Sequence, residues 1–198
     1  MPTTQVSIVN LALLHTGHTQ FVDSMVEDSE EVSVANVVYA QGLDDVLEDF
    51  SWGFAKQYVT LGLIEEDPND DWAYSYRYPS NCVKVRRIVT GVGRQDPNPP
   101  PFVIGQDGTA RLIYTDQEEA VVEITARIED PALFPAQFAQ AFSWWLAFLM
   151  CPGLSKDQAR TNLCLNTYLG LISKAKASDG NESQSRPEPE SEAIRARE

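Results

Sequence analysis

Cysteine, histidine and basic charge are all scarce in this sequence, and each shortage narrows the chemistry open to it. The three cysteines, Cys82, Cys151 and Cys164, include no CxxC pair. A structural zinc site wants paired ligands at short spacing, and a secreted disulfide framework wants an even count. The cysteines therefore read as small buried hydrophobes of a protein folded in a reducing cytoplasm. The two histidines, His15 and His18, flank Gly17 and have no third ligand near them in the chain. At a helix end they would serve the negative pole of the helix dipole rather than a metal. Basic residues number 15 against 29 acidic, a formal net charge of −14. Gripping nucleic-acid phosphate rests on clustered Lys and Arg, so that function is disfavoured. Two readings of the acidity are open: a surface that repels DNA, or solubility at high copy number.

Long hydrophobic runs are missing too. The most apolar stretch, Ala136 to Cys151, falls short of the roughly 20 residues that a bilayer requires, so no membrane partner is expected. Gln137, Gln140 and Ser143 form only a thin polar stripe along it. A helix this apolar is buried on several sides, and a neighbouring subunit can complete the burial. The N-terminus, Met-Pro-Thr-Thr, lacks a basic segment followed by an apolar run and reads as no signal peptide. GxGxxG, Walker, GxSxG and HExxH motifs are all absent. Gly91-Val92-Gly93 is a weak phosphate-binding signal. Asp67-Pro68-Asn69-Asp70-Asp71 lacks the central Gly and distant Glu of a calcium loop and reads as a solvated turn. The expectation is no cofactor, no metal and no catalytic residue.

What the sequence has in quantity is aromatic residues in pattern. Trp52-Gly53-Phe54-Ala55 is followed by Trp72, Tyr74, Tyr76 and Tyr78, spaced two apart, and then by Pro79-Ser80-Asn81-Cys82. In an extended segment, a spacing of two places all four rings on one face. They are either sheet core with satisfied hydroxyls or a docking surface between two layers.

The remaining pattern predicts an α+β fold. Thr3 or Thr4 caps a first helix that Gly17 ends. Ser29 begins a second helix buried through Val32, Ala35, Val38, Tyr39, Leu43, Val46, Leu47 and Phe50. Asp44, Asp45, Glu48 and Asp49 crowd its far end, where negative charge is unfavourable. Either something outside the chain neutralises these carboxylates or solvent screens them. From about Tyr58 to Ile128 the chain reads as extended, with strands at 72–78, 83–90, 101–105, 110–115 and 120–128. Gln106-Asp107-Gly108-Thr109 is a hairpin turn, and Pro99, Pro100 and Pro101 belong to a loop or sheet edge. Short links make the sheet antiparallel. Lys84, Arg86, Arg87 and Arg94 are the one basic concentration, suited to an acidic partner or to a solvated face.

A third helix starts near Pro135 and runs to about Met150, where Pro152-Gly153 breaks it. Ser155 caps a last helix with Asp157 in its first turn and Lys174 and Lys176 in its last. After Ala177 the sequence turns polar and proline-containing and is expected to be disordered when free. It closes on Ala193-Ile194-Arg195-Ala196-Arg197-Glu198, which either docks on a partner or only solubilises. The expected organisation is a helical bundle from 1–57 and 129–176, an inserted antiparallel β subdomain at 58–128 and a flexible tail at 177–198.

The order of these motifs resembles a family. Ile8-Val9-Asn10-Leu11-Ala12-Leu13-Leu14-His15-Thr16-Gly17 is similar to the opening helix of podophage tail tubular protein A. Trp52-Gly53-Phe54-Ala55, Leu61, the Trp72-x-Tyr74-x-Tyr76 row and Tyr78-Pro79-Ser80-Asn81-Cys82-Val83-Lys84-Val85 follow that family's order. Asn81 stands where the family usually has Asp. The likeness covers residues 5–90 closely, weakens through the β region and rests on helical pattern alone from 130 to 176.

The resemblance implies a non-enzymatic head-to-tail adaptor (connector) of a bacteriophage virion, assembled in the host cytoplasm. Such proteins form a twelve-membered ring between the portal protein and the tail nozzle, a protein like tail tubular protein B. DNA passes transiently through the channel during packaging and ejection. On this reading the helices form the ring and the β subdomain faces the tail. Phe138, Phe142, Trp145 and Phe148, with parts of the second helix, supply inter-subunit contacts. Asp44, Asp45, Glu48 and Asp49 face the lumen and its DNA. Lys174, Lys176, Ile194, Arg195 and Arg197 bind the portal, and truncation after Ala177 abolishes that binding without harming the fold. Trp52, Phe54, Trp72, Tyr74, Tyr76 and Pro79 form a structural seam between the two halves. The alternative from the residues alone is a small α+β hydrolase, a glycosidase whose carboxylate pair the sequence does not single out.

Overall fold

A computed structural model describes residues 3–90 and 98–182. It has mixed α+β architecture: helices from both ends of the sequence, and antiparallel sheet from the middle. The helices are α1 (Gln5–Thr16), α2 (Glu30–Asp49), α3 (Ala136–Leu154) and α4 (Gln158–Glu182). The strands are β1 (Lys56–Thr60), β2 (Leu63–Asn69), β3 (Trp72–Arg77), β4 (Cys82–Ile88), β5 (Phe102–Gln106), β6 (Arg111–Thr115) and β7 (Val121–Ala126).

Local chemistry explains where the first two helices start and stop. Thr4 and Ser7 cap α1 reciprocally, each side chain accepting the other's backbone N–H at 3.1 and 2.9 Å; this satisfies donors that a helix start leaves open. Gly17 closes the helix at φ 90°, a left-handed conformation that suits a residue without Cβ. Ser29 caps α2 through the Val32 N–H at 3.2 Å, with Glu30 and Glu31 in the favourable first turn.

The third helix is the hub, packed against α1, α2 and α4. Its Phe138, Phe142, Leu146 and Met150 recur every four residues and are no more than 1% exposed, a stripe on one face of the helix. Phe138 meets Trp52 and Phe54 edge-on at 5.0 and 4.8 Å. Such contacts add to what the rings gain by burial.

The strands make two antiparallel sheets, ordered β1-β7-β4 and β2-β3-β6-β5. Leu63, Tyr76, Ile113 and Ile104 stand opposite one another across the second sheet and so share one face. Tyr76 and Ile113 join Val85, Ile88, Val122 and Ile124 of the first sheet in a single core. The expected hairpin turn is present: Asp107 accepts the Thr109 and Ala110 N–H groups, both at 2.8 Å, and Gly108 has φ 89°. Those hydrogen bonds, with the Thr109 hydroxyl contributing most, pull the Asp107 carboxyl down to about 2.

Several boundaries differ from the sequence reading. Strands β1 and β2 precede the first expected strand, and the β region starts at Lys56. Pro68 is tolerated in β2 because that strand lies at a sheet edge. Pro152-Gly153 does not break α3, which runs on to Leu154. Close packing holds that turn: a Cβ on Gly153 would lie 3.3 Å from both Val34 methyls. Asp157, not Ser155, caps α4, accepting from the Ala159 and Arg160 N–H groups at 2.8 and 3.3 Å. Ser155 instead closes α3, donating its N–H to Cys151. The flexible tail does not begin at 177, since residues 177–182 are helical. Asp179 holds them by accepting the Gly53 N–H, with oxygens at 2.9 and 3.0 Å.

Candidate functional site

The acidic end of α2 is where the two layers meet, and cations of the same chain neutralise it. Arg127, just past β7, forks onto Asp44. Lys84 of β4 pairs with Glu48 at 3.3 Å, and Lys176 of α4 pairs with Asp49 at 2.7 Å. Asp45 accepts from the Gln41 amide at 2.8 Å. Arg86 reaches the helix end itself, donating to the carbonyls of Leu47 and Glu48 at 3.2 and 2.9 Å, to that of Phe50, and to Thr125 Oγ1 at 2.8 Å. A cation there satisfies orphan carbonyls and opposes the dipole. Burial lowers the Arg86 pKa, while Glu48 leads the acids that raise it. The basic concentration of β4 thus has its acidic partner inside the chain; Arg94 lies outside the described residues.

Of the carboxylates expected to face the lumen, Asp44, Glu48 and Asp49 are engaged by cations of their own chain and Asp45 by an amide. Among the described residues, three of the four carboxylates pair with cations, and the fourth cation, Arg86, lies on the helix-end carbonyls. Screened surface pairs contribute only about 0–1 kcal/mol each. Lys84 and Arg127 tie the β layer to α2, and Lys176 ties α4 to it.

The inter-subunit set divides. Phe138 and Phe142 are 1% and 0% exposed in the chain's own core, which removes them from any interface. Trp145 and Phe148 are half-buried and stacked at 5.1 Å, and Trp145 also meets Tyr168 at 4.9 Å. Apolar surface lies elsewhere on the helices: Leu11 and Leu14 of α1, Val37 of α2, and Leu163 and Leu169 of α4 are 43–79% exposed.

The seam is also redrawn. Trp52 is 1% exposed and donates its indole N–H to the Val46 carbonyl at 2.9 Å, bolting the end of α2 inside the helical core beside Phe54. Tyr76 belongs to the β core and donates to the Gln117 carbonyl at 2.8 Å; Tyr74 packs beside it and Trp72 stands at the β2–β3 hairpin. Pro79 opens the turn into β4, accepting the Cys82 N–H. Of the residues expected at the seam, none bridges the two cores. Ile128 does, packing against both, with Val83 beside it on the helical side.

Lys176 is engaged with Asp49, whereas Lys174 is exposed on a groove between α3 and α4 with Gln137, Gln140 and Leu171. Ile194, Arg195 and Arg197 lie outside the described residues, as do Gly91 and Gly93. His15 does not serve the helix dipole as a cation. Its ring stacks on Trp144 at 3.7 Å, and burial holds its pKa down at about 4. Because Ser143 donates to Gln140, the His15 Nε2–H is the donor to Ser143 Oγ, at 3.3 Å.

A cleft of about 560 Å³ opens between the sheets, lined by Leu61, Leu63, Tyr74 and Tyr76 with Glu66, Glu118 and Glu119. Glu118 leads the charges that raise the Tyr74 hydroxyl pKa. Among the described residues, no group of His, Cys, Asp and Glu is placed to hold a metal ion, and no helix is long and apolar enough to cross a membrane. Compared with known proteins, the chain matches no protein-family model and no curated protein.

Proposed function

We propose that this chain is a head-to-tail adaptor of a tailed bacteriophage, assembling as a ring between portal and tail nozzle around the path of the DNA. The observation that carries the reading is the order of its linked blocks: the Ile8–Gly17 helix, Trp52-Gly53-Phe54-Ala55, and Tyr78-Pro79-Ser80-Asn81-Cys82. Each block has a defined place in the fold: a capped helix and its stop, the aromatic bolt at the end of α2, and the turn that leads into β4.

The helical surface supports the same reading. Outward leucines on α1 and α4 suit closed rings, in which one patch of a subunit meets a different patch on the next. Ring contacts are therefore assigned to Leu11, Leu14, Leu163 and Leu169 rather than to Phe138 and Phe142. The net charge of −14 suits a wall over which DNA slides without sticking. Native mass measurement of the full chain with its portal tests this. The wild type should join the portal as a multimer, and Leu14→Glu combined with Leu163→Glu should prevent that while leaving the monomer folded. A wild-type chain that stays monomeric beside its portal overturns the reading.

A further inference from the structure

The thiols of Cys151 on α3 and Cys164 on α4 face each other in the core, with Sγ atoms 4.0 Å apart and both residues 0% exposed. The connection between their helices is short, running from Ser155 to Asp157. Cys164 Sγ also lies 3.8 Å from the His15 carbonyl, so the pair sits where α1, α3 and α4 converge. Cys82 is remote from both, half-buried on β4 with its thiol on the Tyr78 hydroxyl at 3.3 Å. A disulfide needs its sulfurs at about 2.05 Å. Forming the bond therefore requires the two sulfurs to approach, by side-chain rotation or movement of the helices.

We infer that Cys151 and Cys164 form an oxidation site, which a two-electron thiol oxidant converts into a disulfide stapling α3 to α4. With an azo oxidant such as diamide, one sulfur adds to a nitrogen of the N=N bond and its proton passes to the other nitrogen. The second thiol sulfur then attacks the first, the S–N bond breaks and the S–S bond forms. The departing hydrazine carries both thiol hydrogens, so the protein loses two hydrogens and the oxidant gains them. Burial raises the Cys164 thiol above its ordinary pKa, so reaction is slow and follows opening of the helix pair. The staple closes a short loop and limits the unfolded chain.

The test treats the folded full chain with diamide, then alkylates it in denaturant and maps its peptides. The expected product has lost two hydrogens, retains only Cys82 for alkylation and links the Cys151 and Cys164 peptides. Its melting temperature should rise and return to the starting value with dithiothreitol. Cys82→Ser should cross-link equally, which keeps the test independent of substitutions in the core. Three alkylatable cysteines after treatment, or a disulfide that joins Cys82 to either of the pair, overturns the assignment.

Discussion

Replacing Arg86 by Met tests whether one guanidinium joins the helical and β layers. Met keeps an aliphatic stem but removes donors that serve four acceptors, the Thr125 hydroxyl from Nε and the carbonyls of Leu47, Glu48 and Phe50, which share the two hydrogens of Nη2. Hydrogen bonds from a charged group contribute about 1.5–3 kcal/mol each, and bonds that share one side chain do not add. Loss of the cation at the helix terminus costs a further ~0.3–2 kcal/mol. A total near 3 kcal/mol follows, against a whole-domain stability of roughly 5–15 kcal/mol. At about 2–4 °C per kcal/mol for a chain of this length, the melting temperature should fall by roughly 6–12 °C. Arg86→Lys should recover less than half, because one ammonium cannot fork to the helix-end carbonyls and the Thr125 hydroxyl together. Calorimetry and urea melts at neutral pH provide the readout. A variant within about 0.5 kcal/mol of wild type, the range of ordinary surface changes, would refute the role given to Arg86.

Other consequences can be measured on the same footing. His15 is held neutral by burial, with its pKa near 4 against an ordinary 6.5. Between those values the unfolded chain binds the extra proton, so stability falls as pH drops from about 6.5 toward 4. Discounted for partial exposure, the loss is on the order of 2 kcal/mol, and urea melts of His15→Gln should show a flatter pH dependence. Gly105→Ala would bring a Cβ within 2.4 Å of the Tyr114 ring, costing about 1–3 kcal/mol of overpacking; unchanged stability would contradict the packing. Phe138→Ala should cost about 3–5 kcal/mol from the core, which separates it from a true interface residue. Truncation after Glu182 should abolish portal binding with little change in melting temperature. Truncation after Ala177 should also destabilise the chain, because it removes the Asp179 contact to Gly53.

The sequence was most legible where local chemistry decides structure. Gly17, Ser29 and Asp107-Gly108 each act within a few residues of the chain and their cap and turn roles read directly, while the first cap read as Thr3 or Thr4 and is Thr4. Alternating Val, Ile and Tyr placed five strands, but β1 and β2 carry Lys, Gln, Glu, Asp and Pro and take their order from β7 and β3. Pro152 reads as a helix breaker, yet α3 runs through it to Leu154, with the adjoining Gly153 packed closely on Val34. The candidate site was the least legible part. The carboxylates of α2 were visible as a local misfit, but the cations that meet Asp44, Glu48 and Asp49 come from just past β7, from β4 and from α4, up to 127 residues away in sequence. No spacing rule joins Arg127 to Asp44. A charge-reversed Asp44 or Glu48 would meet Arg127 or Lys84 of its own chain, so a DNA-transit assay of such variants is read beside their melting temperature.

The adaptor reading is tested most directly by imaging the full chain mixed with its portal by negative-stain electron microscopy. The account predicts an added annular layer on one end of each portal ring, absent with the Leu14→Glu and Leu163→Glu chain. Portal rings identical with and without the wild-type protein would contradict it.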